Sequence, residues 1–283
     1  MSETNLNEER ITALVNKMPA FPRSVQQVLT ITADINCSPK DLVQVVELDP
    51  VLTGRILKVV NSAYFGLSRK MTSVKHAVVF VGINTIKHLA LSIAAVGSLP
   101  KKNKAGLPIT HYLKHSLSVG AIARVLALEL GLSGREAEDY FLAGLIHDIG
   151  KIVLSMHSGP EYREVLERHA KTKEPLWMIE NELLGLTHAQ VSVMVCEKWQ
   201  MPEGVSNAIA NHHELSTEGD LCKLTACLYT ANAFANVIEG QKDHPPLPNV
   251  ITTLFGYELN HLVAQKSRFI TEIKKVGIFL QID

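Results

Sequence analysis

Helical spacing of apolar residues is the feature that most limits what this sequence can fold into. Apolar side chains recur three and four positions apart along almost the whole chain, and no run alternates apolar and polar residues long enough to predict a strand. Ser38-Pro39 and Asp49-Pro50 each place a capping residue before a proline suited to the first helical turn. Other capping residues that precede helical patterns are Ser24, Ser73, Ser133 and Thr187. The sequence therefore predicts an all-α protein.

Composition and charge narrow the class of protein further. Hydrophobic residues make up 46% of the 283 positions, which is ample for a buried core. The 28 basic and 28 acidic side chains cancel, so no global field draws the chain to nucleic acid or to an anionic membrane. The N-terminus has no apolar signal region, and no segment offers about 18 uninterrupted apolar residues. We expect a cytoplasmic protein with no membrane partner and no general affinity for nucleic acid.

Two loops divide the predicted helices. Residues 98–108 gather two prolines, a glycine and three lysines between apolar segments, which is typical of a linker. This predicts an N-terminal helical lobe over residues 1–107, with about five helices before residue 98, and a second helical domain over residues 108–283. A later loop at 239–249 precedes a C-terminal tail whose apolar spacing predicts another helix.

The stretch AGLIHDIGKI, residues 143–152, places His147 and Asp148 where an apolar run meets Gly150. Neighbouring residues on a helix diverge by about 100°. The pair can therefore serve one site only from a helix end, which Gly150 fits, or by serving two adjacent metals. Burying such an ion-capable pair without a partner is costly, and a metal is the simplest partner.

Further histidines surround this pair in the sequence. His111 and His115 lie four apart and share a helix face. The others that could join a site are His188, His212 and His213. One histidine alone is ordinarily a core or surface residue, but imidazole and carboxylate together are ligands that Fe, Mn, Ni, Co and Zn accept.

These residues resemble a known family. The order of His115, His147-Asp148, Ile149-Gly150-Lys151, His188 and His212-His213 resembles the HD superfamily of metal-dependent phosphohydrolases. The phrases MPAFPRSVQQVL, ELDPVLTGRILKVVNSAYFG, SVKHAVVFVGINTIKHLAL, FLAGLIHDIGKIVL and NELLGLTHAQVSVMVCEKWQMPEGVSNAI resemble the HDOD family of bacterial HD-related output domains. The resemblance covers roughly residues 15–240.

The resemblance implies an N-terminal helical lobe, an HD-type helical domain and a role in bacterial signalling. It implies one or two divalent transition-metal ions, bound by His115, His147, Asp148, His188, His212, His213 and Asn232. The catalytic residues it implies are Asp148, shared by two metals, and Lys151, which contacts a substrate phosphate. With Asp148 the only clear carboxylate, the ligand set favours Fe, Mn, Ni or Zn over Mg.

Two departures from the family pattern affect function. The residues after the double histidine read HHELSTEGD and lack the Gly-Tyr-Pro loop of the related HD-GYP phosphodiesterases, which predicts little or no hydrolysis of cyclic di-GMP. The superfamily's last ligand, an aspartate, is Asn232 in LYTANAFANVI. An amide oxygen can coordinate a cation, but it adds no negative charge and so binds more weakly.

Three functions stay open at this point. The first is a regulatory output protein that acts on a protein partner, with the HD-type domain as a scaffold and the metal as a structural or sensory element. The second is an active metal-dependent phosphohydrolase on a nucleotide or another phosphoester. The third, DNA binding through SVKHAVVFVGINTIKHLAL, would depend on Lys87 and His88 in an otherwise apolar helix. We expect that helix to be buried and Gly82 to close the helix before it.

The N-terminal lobe offers one more candidate surface. Arg55, Lys58 and Asn61 recur at helical spacing, and Tyr64 and Phe65 follow on a loop. The first three are either a solvated face or a partner surface, and the two aromatic residues would dock the loop.

Overall fold

The computed structural model describes residues 12–13, 15–16, 21–33, 37–100, 102–215, 222–241 and 246–281. The chain is 74% helical, and the described residues contain no strand. The prediction of an all-α protein is therefore confirmed.

The N-terminal helices follow the predicted starts closely. They are α1 (Arg23–Ala33), α2 (Pro39–Glu47), α3 (Pro50–Val60), α4 (Val74–Val81) and α5 (Ile83–Gly97). The Ser38 side chain accepts from the Asp41 N–H, and the Asp49 carboxylate accepts from the N–H groups of Val51 and Leu52. Both prolines occupy the first helical turn, as predicted, because their missing N–H has no intrahelical partner to lose. Ser24 instead lies inside the first turn of α1, where its hydroxyl donates to Asp49 Oδ2 at 2.7 Å.

Gly82 closes α4 with a φ of 92°, a backbone conformation that favours glycine. The helices on either side of it, α4 and α5, meet at 116°. His88 on α5 is 5% exposed and bonds Asp139 Oδ1 through Nε2 at 2.8 Å. The side chain considered for DNA contact is therefore buried within the protein.

A second series of helices follows the loop predicted at 98–108. Its helices are α6 (Ile109–Glu129), α7 (Ala137–Ile146), α8 (Ile149–His157), α9 (Gly159–Thr172), α10 (Leu176–Leu184), α11 (His188–Lys198), α12 (Glu203–Ala210) and α13 (Lys223–Ile238). The loop at 239–249 is followed by α14 (Asn249–Phe255), and the C-terminal tail predicted as helical, residues 256–282, forms α15 (Leu259–Ala264), α16 (Lys266–Val276) and a 3₁₀ helix, Gly277–Gln281. The tail is thus broken into short pieces rather than one helix, and Gly256 ends α14 with a φ of 73°.

Helices α6 and α7 approach each other very closely at a pair of glycines. A Cβ on Gly144 would lie 2.5 Å from the Cα of Gly120, so neither position leaves room for a side chain. This contact aligns the start of α6, which carries His115, with the end of α7, next to His147.

A buried polar network joins the N-terminal helices to the second domain. The Tyr64 hydroxyl donates to Glu138 Oε2 at 2.9 Å, and Arg124 Nε donates to Glu138 Oε1 at 2.8 Å. The Arg124 guanidinium also lies 5.0 Å from the centre of the Tyr64 ring. Tyr64 therefore docks the loop after α3 onto α6 and α7. The predicted domain boundary at 107/108 stays a prediction.

The predicted polar ridge on α3 does not act as one surface. Asn61 bonds the backbone of Met71 through both ends of its amide, and the Lys58 ammonium donates to the carbonyl of Gln281. Arg55 lines a cavity of about 280 Å³ between α1, α3 and α5. Two of the three side chains thus hold other segments of the chain in place.

Among the described residues, no single helix combines the length and apolar character needed to cross a membrane; α4 and α5 meet that test only when taken together as a bent pair.

Candidate metal centre

Asp148 lies at a break between two helices. Helix α7 ends at Ile146 and α8 begins at Ile149, with Asp148 at φ −100° and ψ 10° between them. The predicted helix end therefore exists, but Gly150 does not form it and lies inside the first turn of α8. A Cβ on Gly150 would lie 2.0 Å from the carbonyl oxygen of His188, so the glycine is needed for the close approach of α8 to α11.

The imidazoles converge on the Asp148 carboxylate from four helical segments. Asp148 Oδ1 lies 3.1 Å from His188 Nε2 and 3.6 Å from His212 Nε2. Asp148 Oδ2 lies 3.3 Å from His147 Nε2 and 3.9 Å from His115 Nε2. The ligand atoms form two groups, each with all atoms within 4.8 Å: Asp148, His188, His212 and His213, and His115, His147 and Asp148. Asp148 belongs to both.

In four of these rings the other nitrogen, Nδ1, forms a hydrogen bond to an oxygen acceptor. The contacts are His115 Nδ1 to Glu239 Oε1 at 3.0 Å, His147 Nδ1 to Gly144 O at 2.8 Å, His188 Nδ1 to Glu180 Oε2 at 2.5 Å, and His212 Nδ1 to Ile209 O at 2.6 Å. Carbonyls and ionised carboxylates only accept hydrogen bonds, so Nδ1 carries the hydrogen in each ring. In His147, His188 and His212 the neutral ring then directs its Nε2 lone pair towards Asp148, whereas His115 Nε2 also lies 3.2 Å from an acceptor, Asn232 Oδ1.

Glu180 is a site residue that the sequence analysis missed. It is fully buried, and its carboxylate accepts from the His188 N–H at 2.7 Å, from His188 Nδ1, and from the Tyr162 hydroxyl at 2.8 Å. A carboxylate behind a ligand imidazole fixes the tautomer and orientation of the ring. Its only signal in the sequence is a glutamate within the mainly apolar segment LWMIENELL, which also contains Glu182.

Glu239, also missed, plays the same part for His115 from the end of α13. By contrast, the side chain of His111 is 70% exposed and lies 3.9 Å from Glu239. The face that His111 shares with His115 therefore does not bring His111 into the centre.

Electrostatics keep the carboxylate ionised. Burial alone would raise the pKa of Asp148, but the charges of His147, Lys151 and His188 hold that pKa well below its usual value. Burial lowers the pKa of His147 and of His213, and it lowers the pKa of His212 to about 4. Burial is the largest single effect on His188 and lowers its pKa, but the Glu180 and Asp148 carboxylates together outweigh it, so the pKa of His188 is raised. One anion thus lies among mainly neutral imidazoles at neutral pH.

Several atoms at the centre lack the hydrogen bonds that burial normally demands. His147 Nε2, Asp148 Oδ1 and His212 Nε2 are buried and have no hydrogen-bond partner within the described chain. By contrast, His188 Nε2, whose ring hydrogen lies on Nδ1, accepts from His213 Nε2 at 2.8 Å. Unpaired buried polar atoms are costly, and lone pairs that face one another are stabilised by a shared cation. The nitrogen and oxygen donors present fit a divalent first-row metal.

Lys151 and Asn232 complete the set of predicted residues. The Lys151 ammonium donates to Asp148 Oδ2 at 2.5 Å. Asn232 Oδ1 lies 3.2 Å from His115 Nε2, and the residue is 8% exposed. A cavity of about 300 Å³ opens over this end of the centre, with Lys151, Asn232 and three of the histidines in its lining. The structure thus gathers every residue in the predicted set at one place.

Sequence comparison gives one family match and several relatives. The model of the HDOD domain matches residues 18–215. An uncharacterized protein of Treponema pallidum (strain Nichols) is 23% identical over 85% of this chain and 46% of its own length. Ribonuclease Y of Lactobacillus gasseri is 33% identical over 36% of this chain and 13% of its own length. The chain thus spans less than half the length of these curated relatives.

Solved structures share the fold over nearly the whole chain. An HDOD domain protein of unestablished function from Geobacter sulfurreducens matches with a TM-score of 0.76 and 22% identity, covering 96% of this chain and 97% of that one. A Shewanella amazonensis protein provisionally named a phosphohydrolase gives a TM-score of 0.76 and 21% identity, with 96% and 98% covered. A Marinobacter aquaeolei protein provisionally named a signal transduction protein gives 0.74 and 19%, with 98% and 66% covered. At these identities the likeness shows the fold alone.

Proposed function

This chain belongs to the HDOD family, and from that premise we propose that it is a metal-dependent phosphoester hydrolase of a signalling pathway. One observation carries the proposal. Asp148 is shared by two groups of imidazoles, and the buried Nε2 atoms of His147 and His212 face it without hydrogen bonds, beneath a cavity that His115, His212 and His213 line. A purely structural cluster would pair those atoms with donors of its own.

Each residue of the centre has a specific role in the proposed hydrolase. His188, His212, His213 and Asp148 would hold one ion, and His115, His147 and Asp148 the other, with Asn232 as a further neutral donor. A bound divalent metal supplies Lewis acidity to phosphoryl oxygens and lowers the pKa of water. Lys151 lines the cavity and places a positive charge where negative charge develops during phosphoryl transfer. Glu180 and Glu239 keep two rings oriented for this task.

A regulatory protein that acts on a protein partner is the second candidate function. Two observations favour it. Asn232 adds no negative charge to the centre, which weakens the hold on a second cation. Large apolar side chains on the N-terminal helices are exposed, namely Leu48 at 76%, Val79 at 73% and Phe80 at 62%. The helix that Leu48 follows, α2, packs against α4, which carries Val79 and Phe80, and apolar side chains that form one contiguous exposed patch are typical of surfaces that bind another protein.

The proposed hydrolase is tested by measuring metal content and turnover together. Protein purified without chelator should carry one or two first-row metal ions per chain, and it should slowly hydrolyse bis(p-nitrophenyl) phosphate. Asp148→Ala and His115→Ala should lose both properties. His111→Ala is the matched control, because that ring is exposed and outside the centre.

If Asp148→Ala hydrolyses the substrate as fast as the wild type, the proposed hydrolase function is wrong. If the wild-type protein binds its full complement of metal but does not hydrolyse generic phosphoesters, the regulatory function is favoured instead. We expect little or no turnover of cyclic di-GMP in either case.

A further inference from the structure

The cavity over the metal centre has two walls whose chemistry differs from that of its floor. One wall comes from the connection between α9 and α10 and carries Lys173 and Trp177. The other comes from α13 and the residues just after it, and it carries Tyr229, Asn236 and Gln241. None of these side chains belongs to the metal ligand set.

The cavity is suited to an anion. Its lining contains Lys151, Lys173 and four histidines, and no acidic side chain occurs among the lining residues that the structure describes. Lys173 is exposed, and its ammonium makes no hydrogen bond or ion pair with any described residue. Two lysines facing one space without a lining carboxylate attract negatively charged ligands and raise their local concentration.

One wall also offers a flat aromatic surface. The Trp177 ring is half-buried and lies nearly parallel to the His213 ring, at 19° and 6.0 Å between centroids. It thus joins the edge of the metal centre to the outer part of the cavity. Heterocycles stack on indole rings with little regard to their identity.

The opposite wall presents groups that can both donate and accept. The Tyr229 hydroxyl and the side-chain amides of Asn236 and Gln241 make no hydrogen bond within the described residues. Amide side chains match the paired donor and acceptor groups on the edge of a nucleobase. The wall therefore suits a heterocycle better than a sugar or an alkyl group.

We propose that these two walls form a nucleotide subsite: a phosphoester places its phosphate between Lys151 and Lys173, and its single base stacks on Trp177 and faces Asn236 and Gln241. The proposal deepens the proposed hydrolase function and rests on it for the place of the phosphate. A volume of about 300 Å³ is at the lower end for small-molecule sites. It therefore fits one nucleotide rather than a dinucleotide.

Equilibrium binding tests the subsite separately from catalysis. AMP, ribose 5-phosphate, adenosine and inorganic phosphate are titrated calorimetrically into the full chain, once loaded with Mn²⁺ and once after chelation. AMP should bind at least about tenfold tighter than ribose 5-phosphate, a difference of ~1.4 kcal/mol, in both states. Tryptophan fluorescence should change with AMP, because Trp199 is 2% exposed and stacked on Phe21 while Trp177 lines the cavity.

Two variants and two controls locate the effect. Trp177→Leu should reduce the ratio between AMP and ribose 5-phosphate to about one and leave inorganic phosphate binding unchanged. Lys173→Gln should weaken AMP and inorganic phosphate alike by several-fold. Lys171→Gln and Met178→Ala are exposed neighbours outside the cavity lining and should bind AMP like the wild type.

The outcomes separate the two proposals. A base preference that disappears in Trp177→Leu supports the subsite even if no phosphoester is turned over. Equal binding of AMP and ribose 5-phosphate overturns the subsite even if bis(p-nitrophenyl) phosphate is hydrolysed. Tighter binding of a cyclic dinucleotide than of AMP also overturns it, because the proposed site holds one base.

Discussion

Two buried carboxylates, Glu138 on α7 and Asp148 just after it, meet opposite surroundings. Glu138 is 1% exposed, and each oxygen receives a hydrogen bond, one from Tyr64 and one from Arg124. Asp148 is 2% exposed, yet its Oδ1 has no hydrogen bond although two imidazole nitrogens lie within 3.6 Å. Similar groups at similar depth thus form a closed ion pair in one place and an open centre in the other.

The difference lies in which neighbours carry hydrogens. A guanidinium and a phenol direct N–H and O–H groups at Glu138, so the pair needs nothing further. Around Asp148, the rings of His147 and His212 donate hydrogen bonds from Nδ1 to carbonyl oxygens, so their Nε2 atoms carry lone pairs and no hydrogen. Lys151 donates to Asp148 Oδ2, but Oδ1 faces nitrogen lone pairs and is stabilised by a cation, which is why one cluster is structural and the other suits a metal.

Removing the charge of Glu138 should give the largest effect on stability. Glu138→Gln leaves Arg124, whose side chain is 19% exposed, without its anion. Breaking a buried ion pair from one side costs about 3–5 kcal/mol, measured as the free energy of unfolding in urea. Metal content should not change, and Glu136→Gln, an exposed change two residues away, should cost far less. Metal loss in Glu138→Gln at a temperature where it remains folded would contradict the separation of the two clusters.

Removing the carboxylate behind His188 should weaken the open centre. Glu180→Gln replaces one acceptor oxygen by an amide NH₂, so the His188 N–H, His188 Nδ1 and the Tyr162 hydroxyl can no longer all donate to this side chain. Losing such a partner of a ligand histidine typically lowers metal affinity by about 10–100-fold, measured by competition with a chelating dye. Glu182→Gln is the control, because that side chain is 62% exposed. Equal affinity in both variants would exclude Glu180 as a positioning residue.

Restoring a carboxylate at position 232 should sharpen the contrast. Asn232→Asp adds a negative charge beside His115, and metal affinity should rise about tenfold or more, since opposite charges in contact attract strongly even at an effective dielectric near 20. Turnover of a generic phosphodiester should rise with it, and exposed Asn207→Asp serves as the control. A variant that melts lower both with metal and after chelation, with unchanged metal content, would remove Asn232 from the site.

The smallest expected effect on stability comes from removing Asp49, a half-buried carboxylate that accepts hydrogen bonds at both oxygens. The backbone N–H of Leu52 is the main cause of its lowered pKa, with further help from Ser24 and Val51. Because the pKa of Asp49 is lowered in the folded state, the ionised carboxylate stabilises the fold at pH values above its ordinary pKa of 3.8. This stabilisation is lost progressively as the pH falls from 3.8 through the lowered pKa of the folded state. Asp49→Ala should therefore cost about 1 kcal/mol at pH 7 and less at pH 3.5, measured by urea unfolding. A cost that does not fall with pH would show that the cap's charge is irrelevant; Glu47→Ala is the exposed control.

Local sequence determined most of the secondary structure. The caps at Ser38, Asp49 and Thr187 and the loop at 98–108 could be predicted because a helix start depends on residues within one turn of it. Local pattern failed in the tail after Gly256, where the apolar spacing continues across Gln265 and conceals the break between α15 and α16. It also misplaced the role of Gly150, whose constraint comes from His188 on another helix.

The sequence by itself determined an all-α chain and the residue types that could bind a metal; family resemblance added which of them form one set. Only the tertiary structure decided which groups stand behind those residues. Glu180 and Glu182 are equivalent by composition, yet one is fully buried against His188 and the other is exposed. Lys58 and Asn61 are exposed but bond the backbone of distant residues, while Arg55 lines a cavity. The physical reason is that helical spacing fixes which side chains share a face, whereas the packing of helices far apart in the chain fixes what that face meets.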